Sequence, residues 1–112
     1  MKTVTLYHNP RCSKSREALA LLVARGLDVT VIEYLKTPPS LNTLKALAEK
    51  LGDDKETLFR TNEEAYKSIK TLPFEARLAA ICEEPILLER PVVETDKAAV
   101  VARPPEKLLD II

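Results

Sequence analysis

The first 34 residues contain two strand patterns separated by one helical pattern, and this order strongly restricts the fold. Residues 3–7, TVTLY, and residues 29–34, VTVIEY, are rich in the β-branched and aromatic side chains that favour strands. Between them, over residues 12–25, apolar side chains repeat at spacings of three and four, and Gly26 is placed to end this helix. Two strands joined by a helix pair in parallel, so we expect a β-α-β unit.

A helical segment is predicted next. Ser40 is a suitable N-cap for a helix over residues 41–51, which Gly52 ends. Residues 54–83 predict two or three further short helices, one of them over residues 62–69 with Asn62 as its cap. We expect the whole segment, residues about 36–86, to form a helical insert.

The last part of the chain predicts a hairpin and a final helix. Residues 89–95 and 97–102 favour two strands joined by a tight turn at Asp96, and residues 105–112 favour a short helix. The complete order is β-α-β, helical insert, β-β-α. This is the order of an α/β domain with the thioredoxin-like (glutaredoxin-like) fold, with a central mixed sheet of about four strands. A chain of 112 residues is expected to form one such domain, residues 1–112, whose insert covers the active-site edge of the sheet.

Composition excludes several classes of function. Seventeen basic and 17 acidic residues balance, which argues against nucleic-acid binding. No apolar run approaches the roughly 20 residues of a membrane span, and the sequence shows no secretory signal. Only two glycines are present, too few for a glycine-rich phosphate loop. We therefore expect a cytoplasmic protein that binds neither nucleic acid nor membrane, with Cys12 and Cys82 both reduced.

Cys12 is the strongest candidate for a reactive group. It stands where the first helix begins, so the free N–H groups of residues 13–15 and the helix dipole can stabilise a thiolate. Arg11 and Lys14 add positive charge in the same turn. Such surroundings lower a thiol pKa from about 8.5 to between about 3.5 and 7.5. An inert helix-capping cysteine is the alternative.

The neighbours of Cys12 also have alternative interpretations. His8 could supply a positive charge or a proton, or could be a loop residue bonded to backbone. Ser15 stands where a dithiol oxidoreductase has its second cysteine, and it could instead be only a helix cap. Cys82 lies on an apolar helix face and is best interpreted as a buried small side chain. Cys12 is thus a monothiol that requires an external thiol, for which glutathione is the abundant candidate.

Three arginines could complete the site. Arg60 lies at a helix junction, Arg90 precedes Pro91 at the start of a strand, and Arg103 follows the last strand. In a thioredoxin-like sheet, the X-Pro bond entering the third strand faces the active cysteine and is commonly cis, which predicts a cis Arg90–Pro91 bond beside Cys12. Guanidinium groups bind oxyanions in bidentate geometry. Taken alone, each arginine is more often an exposed surface charge than a ligand-binding group.

The chain resembles the ArsC-type, glutaredoxin-coupled arsenate reductases. Four segments carry the resemblance, in order TVTLYHNPRCSKSRE, LFRTNEEAYK, ERPVVET and RPPEKLLDII, and the first matches the shorter HNPRCSKSR branch. The resemblance implies that Cys12 is the nucleophile and that His8 and Ser15 support it. It also implies oxyanion binding by three arginines, Arg60, Arg90 and Arg103.

The function implied by this resemblance is the reduction of arsenate to arsenite, with glutathione as co-substrate, glutaredoxin as partner, and no metal or bound cofactor. Two features depart from the common family pattern: Ala102 replaces a glycine, and Ser13-Lys14 replaces Gly-Thr. Two alternatives remain open at this point. One is a monothiol glutathione-dependent reductase or deglutathionylase acting on another substrate, and the other is a Spx-like regulator that binds RNA polymerase.

Overall fold

A computed structural model describes residues 2–112, and its centre is a four-stranded mixed sheet. The strands are β1 (Thr3–His8), β2 (Asp28–Glu33), β3 (Val92–Glu94) and β4 (Ala99–Val101), in the spatial order β2-β1-β3-β4. β1 pairs in parallel with β2 and antiparallel with β3, which pairs antiparallel with β4. The predicted β-α-β unit, hairpin and mixed sheet are therefore confirmed.

The helices also follow the predicted order. The α-helices are α1 (Ser13–Ala24), α2 (Leu41–Leu51) and α3 (Phe74–Glu83), and 3₁₀ helices cover Gly52–Leu58, Glu64–Ser68, Pro85–Leu87 and Pro105–Asp110. As predicted, the Ser40 side chain caps α2 by accepting from the Thr43 N–H at 3.1 Å. Gly26 and Gly52 follow α1 and α2 with φ of 72° and 60°, a backbone conformation that favours glycine.

Two details of the helix prediction are wrong. Asn62 is not a cap, because the 3₁₀ helix begins at Glu64, with Glu63 at its N-cap position and no side-chain cap. The terminal Pro105–Asp110 helix, like two segments of the insert, is 3₁₀ rather than α. These segments are short, and a short turn with i→i+3 bonds forms where too few residues are present to extend an α-helix.

The sheet has an apolar core on each face, because side chains alternate along each strand. On one face, Leu6 and Val93 pack with apolar residues of α1. On the other face, Tyr7 and Val92 pack with the buried sides of α2 and α3, in what we call the insert-side core. The insert is thus held against one face of the sheet by apolar packing of α2 and α3 on Tyr7 and Val92.

A polar contact joins α2 to the sheet at the edge of the insert-side core. Lys50 Nζ contacts Glu94 Oε2 at 2.7 Å and the Thr95 carbonyl oxygen at 2.9 Å. The Tyr7 hydroxyl donates to the other Glu94 oxygen at 3.0 Å. Burial raises the pKa of Tyr7 and Glu94 raises it further, so the hydroxyl stays protonated as the donor.

We expect Lys50→Ala to lower the free energy of unfolding by about 1–3 kcal/mol, between the values typical of exposed and buried ion pairs. The Lys50 and Glu94 side chains are only 25% and 17% exposed, so the carboxylate left behind is poorly hydrated. The measurement is the urea midpoint. Lys45→Ala is the matched control, because the Lys45–Glu75 pair has the same 2.7 Å separation but is largely in solvent. Equal losses in both variants would contradict the prediction.

Candidate active site

The turn between β1 and α1 places Cys12 at the helix N-terminus. The Cys12 N–H donates to the Asn9 carbonyl oxygen at 3.0 Å, and the Arg11 N–H donates to Asn9 Oδ1 at 3.0 Å. These two bonds close the turn. Cys12 then takes the N-cap position with extended backbone, φ −94° and ψ 121°, within one residue of the predicted helix start.

The environment of Cys12 lowers its pKa below the ordinary value for a thiol. Burial acts in the opposite direction, because it disfavours the charged thiolate. The N–H groups of Ser15 and Lys14 point to the sulfur, and the Arg90 guanidinium lies beside it, and together they outweigh burial. The predicted stabilisation by the first helical turn is present, although it comes from residues 14 and 15 and not from Ser13.

Ser15 and His8 form a buried pair behind the cysteine. His8 Nδ1 and Ser15 Oγ are 2.7 Å apart, and Ser15 Oγ also accepts from the Asn9 N–H at 3.0 Å. Burial lowers the pKa of His8, with Glu33 opposing this and Arg16 adding to it. His8 is therefore neutral near pH 7, which disfavours the possibility that it supplies a positive charge beside the thiolate.

Arg90 is the arginine nearest to the cysteine. It enters β3 through a cis Arg90–Pro91 bond, as predicted, and its guanidinium lies against the Cys12 sulfur. Its Nη1 is 3.7 Å from Glu89 Oε1. Its Nε is the one buried side-chain nitrogen or oxygen atom in residues 2–112 that has no hydrogen-bond partner. The Nε atom is itself buried, so a ligand beside the sulfur would meet the remaining, 16% exposed part of the Arg90 side chain.

Arg60 reaches the site through a short strand-like pairing. The Arg60 N–H donates to the Leu87 carbonyl at 2.8 Å, and the Glu89 N–H donates to the Leu58 carbonyl at 2.7 Å. The chain segments that carry Arg60 and Arg90 thus run side by side. The Arg60 Nη1 is 3.3 Å from Glu63 Oε2, so this guanidinium is partly neutralised within the protein.

Arg77 stabilises the segment before Arg60, a role that sequence analysis missed. Its guanidinium donates to both carboxylate oxygens of Glu56, at 2.6 and 3.0 Å, and to the Tyr66 hydroxyl at 3.2 Å. It also lies over the Phe59 ring at 4.8 Å. No local signal could have revealed this, because Glu56 and Arg77 are distant in sequence.

Arg103 is placed at the same edge, but by a different contact. Its Nη1 donates to the Arg90 carbonyl oxygen at 2.9 Å, and its side chain is exposed. The Arg103–Pro104 bond is cis, which was not predicted. The preceding Ala102 is buried and does not have a positive φ, so replacing glycine there causes no backbone strain.

Tyr34 is a site residue that sequence analysis missed. It directly follows β2 and is 1% exposed. Its hydroxyl lies against the Asn9 side chain and within electrostatic range of Arg90, Arg60 and Cys12. The signal that could have found it is an aromatic residue with a polar tip at the carboxyl end of a strand parallel to β1, where the cysteine turn also lies.

Two further properties bear on the class of protein. Residues 2–112 contain no cluster of three or more His, Cys, Asp or Glu side chains that could hold a metal ion. Among the helices of the same residues, none is long and apolar enough to cross a membrane. The order of the sheet, the position of Cys12 and the neighbouring Arg90 together define a thioredoxin-like protein with one cysteine at a helix N-terminus, beside an arginine.

Comparison with known proteins identifies the family. The chain belongs to the ArsC family, whose model matches residues 7–111, and the resemblance inferred from its motifs is confirmed. It is 43% identical to a protein of Haemophilus influenzae named arsenate reductase, over 98% of this chain and 99% of the relative. It is 42% identical to the Escherichia coli protein named uncharacterized protein YfgD, over 99% and 98%. The solved structure of an arsenate reductase from Vibrio cholerae superposes with a TM-score of 0.92 at 44% identity, covering 99% of this chain and 98% of that one.

We expect Arg90→Met to raise the thiolate pKa of Cys12, because it removes the side chain whose charge favours the ionised sulfur. The pKa can be followed by the pH dependence of alkylation in a Cys82→Ala background. Arg11→Met is the matched control, since Arg11 is exposed and its charge is screened by solvent and salt. A pKa that moves equally in both variants would show that Arg90 has no specific effect on the sulfur.

Ser15→Ala should lower the free energy of unfolding by about 1–3 kcal/mol, because it leaves the Asn9 N–H and His8 Nδ1 without their buried partner. Ser13→Ala, an exposed serine in the same turn, should change the free energy of unfolding little. Urea unfolding of both variants checks the difference. If Ser15→Ala is as stable as Ser13→Ala, the buried pair contributes nothing to holding the turn.

Proposed function

We propose that this protein reduces arsenate to arsenite, with Cys12 as the nucleophile. The observation that carries the proposal is the Cys12 thiol, with its lowered pKa, beside the unpartnered donor of Arg90 in a member of the ArsC family. Two relatives, from Haemophilus influenzae and Vibrio cholerae, are named arsenate reductases and match nearly the whole chain. Membership alone would not select a substrate, but a thiolate beside guanidinium groups suits an oxyanion electrophile.

In this proposal, the arginines overcome the repulsion between thiolate and oxyanion. Arsenate is an anion near neutral pH, and a thiolate that attacks it must approach like charge. Arg90 adjoins the sulfur, Arg60 lies on the neighbouring segment, and Arg103 contacts the Arg90 backbone. Together they would neutralise and orient the oxyanion, and such preorganised charge is usually the largest contribution to catalysis of this kind.

The proposed cycle has four chemical steps. The Cys12 thiolate attacks arsenic, and one arsenate oxygen leaves as water after taking up protons. Glutathione then adds through its thiol and displaces a second oxygen as water, giving an adduct in which arsenic(V) bridges two sulfurs. A glutaredoxin thiolate attacks the glutathione sulfur, and the electron pair of the broken S–As bond reduces arsenic(V) to arsenic(III). Water then releases arsenite and restores Cys12, so two thiols become one mixed disulfide.

External thiols are proposed because the chain offers no suitable second thiol. Cys82 packs against the insert-side core, and burial raises the pKa of its thiol, so it is a poor nucleophile. Ser15, at the position of a second cysteine, is buried and bonded to His8. In the proposed cycle, His8 and Ser15 support the turn that carries the thiolate, and neither donates electrons.

We expect Cys12→Ser to abolish arsenate-dependent turnover with glutathione and glutaredoxin. Ala substitutions of Arg60, Arg90 and Arg103 should each lower kcat by roughly 100- to 1000-fold, the range found when one donor to a developing oxyanion is removed. A second glutathione resolves the mixed disulfide and gives oxidised glutathione. The assay measures the NADPH that glutathione reductase oxidises as it reduces this product. Arg25→Ala is the matched control, because Arg25 is exposed at the far end of α1.

The same preparations distinguish the alternatives. Turnover of a glutathionylated peptide without turnover of arsenate would instead assign a deglutathionylase. Capture of RNA polymerase subunits, with no activity in either assay, would assign a regulator of the Spx type. Arsenate turnover that survives all three arginine substitutions would contradict the proposed oxyanion site.

A further inference from the structure

Tyr34 has no part in the cycle described above, although it lies at the centre of the site. Its ring belongs to the insert-side core, where it packs with apolar residues of the insert. Only its hydroxyl end reaches the groups around Cys12. A residue buried to this extent is held in one orientation by packing, so the position of its hydroxyl is set before any ligand arrives.

The hydroxyl lies within electrostatic range of four groups of the site. The Asn9 side chain lies close enough to the hydroxyl to lower its pKa, and Asn9 is also the residue that closes the turn before Cys12. The positive charges of Arg90 and Arg60 both act on the hydroxyl, as does the thiolate of Cys12. Tyr34 follows β2, and its hydroxyl thus lies near groups carried by the turn after β1, by the insert and by the start of β3.

The hydrogen bonds of this hydroxyl are not all used within the protein. A tyrosine hydroxyl can accept and can donate one proton. Among residues 2–112 no hydrogen bond takes the proton of the Tyr34 hydroxyl, and the Asn9 side chain lies close to its oxygen. Arg90 Nε is likewise a donor without a partner. The Tyr34 hydroxyl and the Arg90 guanidinium are thus two donors of different chemistry within electrostatic range of the Cys12 sulfur.

The hydroxyl keeps its proton at every pH of interest. Burial raises the pKa of Tyr34 and the Cys12 thiolate raises it further, whereas the two arginines and Asn9 oppose this, and the result is above the ordinary value. A phenol of this kind does not act as an acid near neutral pH. It acts as a permanent neutral donor, and a donor in a desolvated site forms stronger hydrogen bonds than one in water.

We propose that the Tyr34 hydroxyl is a substrate-binding group that donates its hydrogen bond to an oxygen of the tetrahedral oxyanion held by Arg90 against Cys12. The inference rests on the proposed function for the identity of the oxyanion. The arginines supply charge, whereas Tyr34 supplies a neutral donor whose direction is fixed by the packing of its ring. Its contribution is therefore to orient the oxyanion so that the sulfur faces the central atom.

The test is the affinity for inorganic phosphate, which is tetrahedral like arsenate but is not reduced. Phosphate bound beside Cys12 should protect the thiol from alkylation by iodoacetamide, and the protection gives a dissociation constant in the Cys82→Ala background. Tyr34→Phe removes only the hydroxyl, and we expect it to weaken phosphate binding by roughly tenfold, as for loss of a hydrogen bond to a charged group. The thiolate pKa of Cys12 and the KM for arsenate are measured on the same variant.

Tyr7→Phe is the matched control. Tyr7 is another buried tyrosine of the insert-side core, and its hydroxyl donates to Glu94, outside the site. We expect this variant to lose stability but to keep the phosphate affinity of the wild type. Equal weakening in both variants would attribute the effect to a loosened core and would overturn the proposal.

Four further results have distinct meanings. Unchanged phosphate affinity in Tyr34→Phe overturns the proposal. If the thiolate pKa of Cys12 also rises in this variant, the hydroxyl donates to the sulfur and not to the oxyanion. If phosphate and arsenate both fail to protect the wild-type thiol, Tyr34 is not an oxyanion donor. Protection that depends on Tyr34 in a protein unable to reduce arsenate would support the inference and defeat only the proposed function.

Discussion

The site depends on the balance between burial and donated hydrogen bonds at the Cys12 sulfur. Burial alone would keep the thiol protonated, and the first turn of α1 together with Arg90 reverses this. The reversal requires the sulfur to lie at a helix start and beside β3 at once. The parallel pairing of β1 and β2 and the antiparallel pairing of β1 and β3 satisfy both conditions, because they bring the end of β1 and the start of β3 to one edge of the sheet.

The insert contributes to this edge through a backbone pairing that lies outside the four-stranded sheet. The pairing of residues 58–60 with residues 87–89 carries Arg60 alongside the chain that becomes Arg90. Arg77 holds the first of these segments through Glu56 and the Phe59 ring. A bare β-α-β, β-β-α arrangement would have no element at this position. The insert therefore brings a second guanidinium, that of Arg60, within electrostatic range of Tyr34.

Sequence analysis predicted the parts of this structure that depend on local periodicity, and it missed those that depend on distant contacts. The strands and α1 follow from alternation and from three- and four-residue spacing, which report burial directly. The cis bond at Arg90–Pro91 followed from the fold once the strand order was known. Tyr34 gave only a weak signal, its place at the carboxyl end of a strand parallel to β1. Arg77 gave none, because an arginine in a helix is ordinary until folding brings Glu56 to it. The cap at Asn62 failed for the opposite reason: local preference was present, but the chain begins its turn two residues later.

Ser15 connects the structure of the turn with the need for an external thiol. In the fold class of the dithiol oxidoreductases, a second cysteine at this position resolves the first. Here the Ser15 hydroxyl accepts from the Asn9 N–H and contacts His8 Nδ1, and both partners are part of the turn that shapes the Cys12 environment. A thiol is a weaker acceptor and a larger atom, so it would serve this buried turn poorly. The contact that stabilises the thiolate turn thus occupies the place of an internal resolving thiol, and under the proposed cycle the second thiol comes from glutathione.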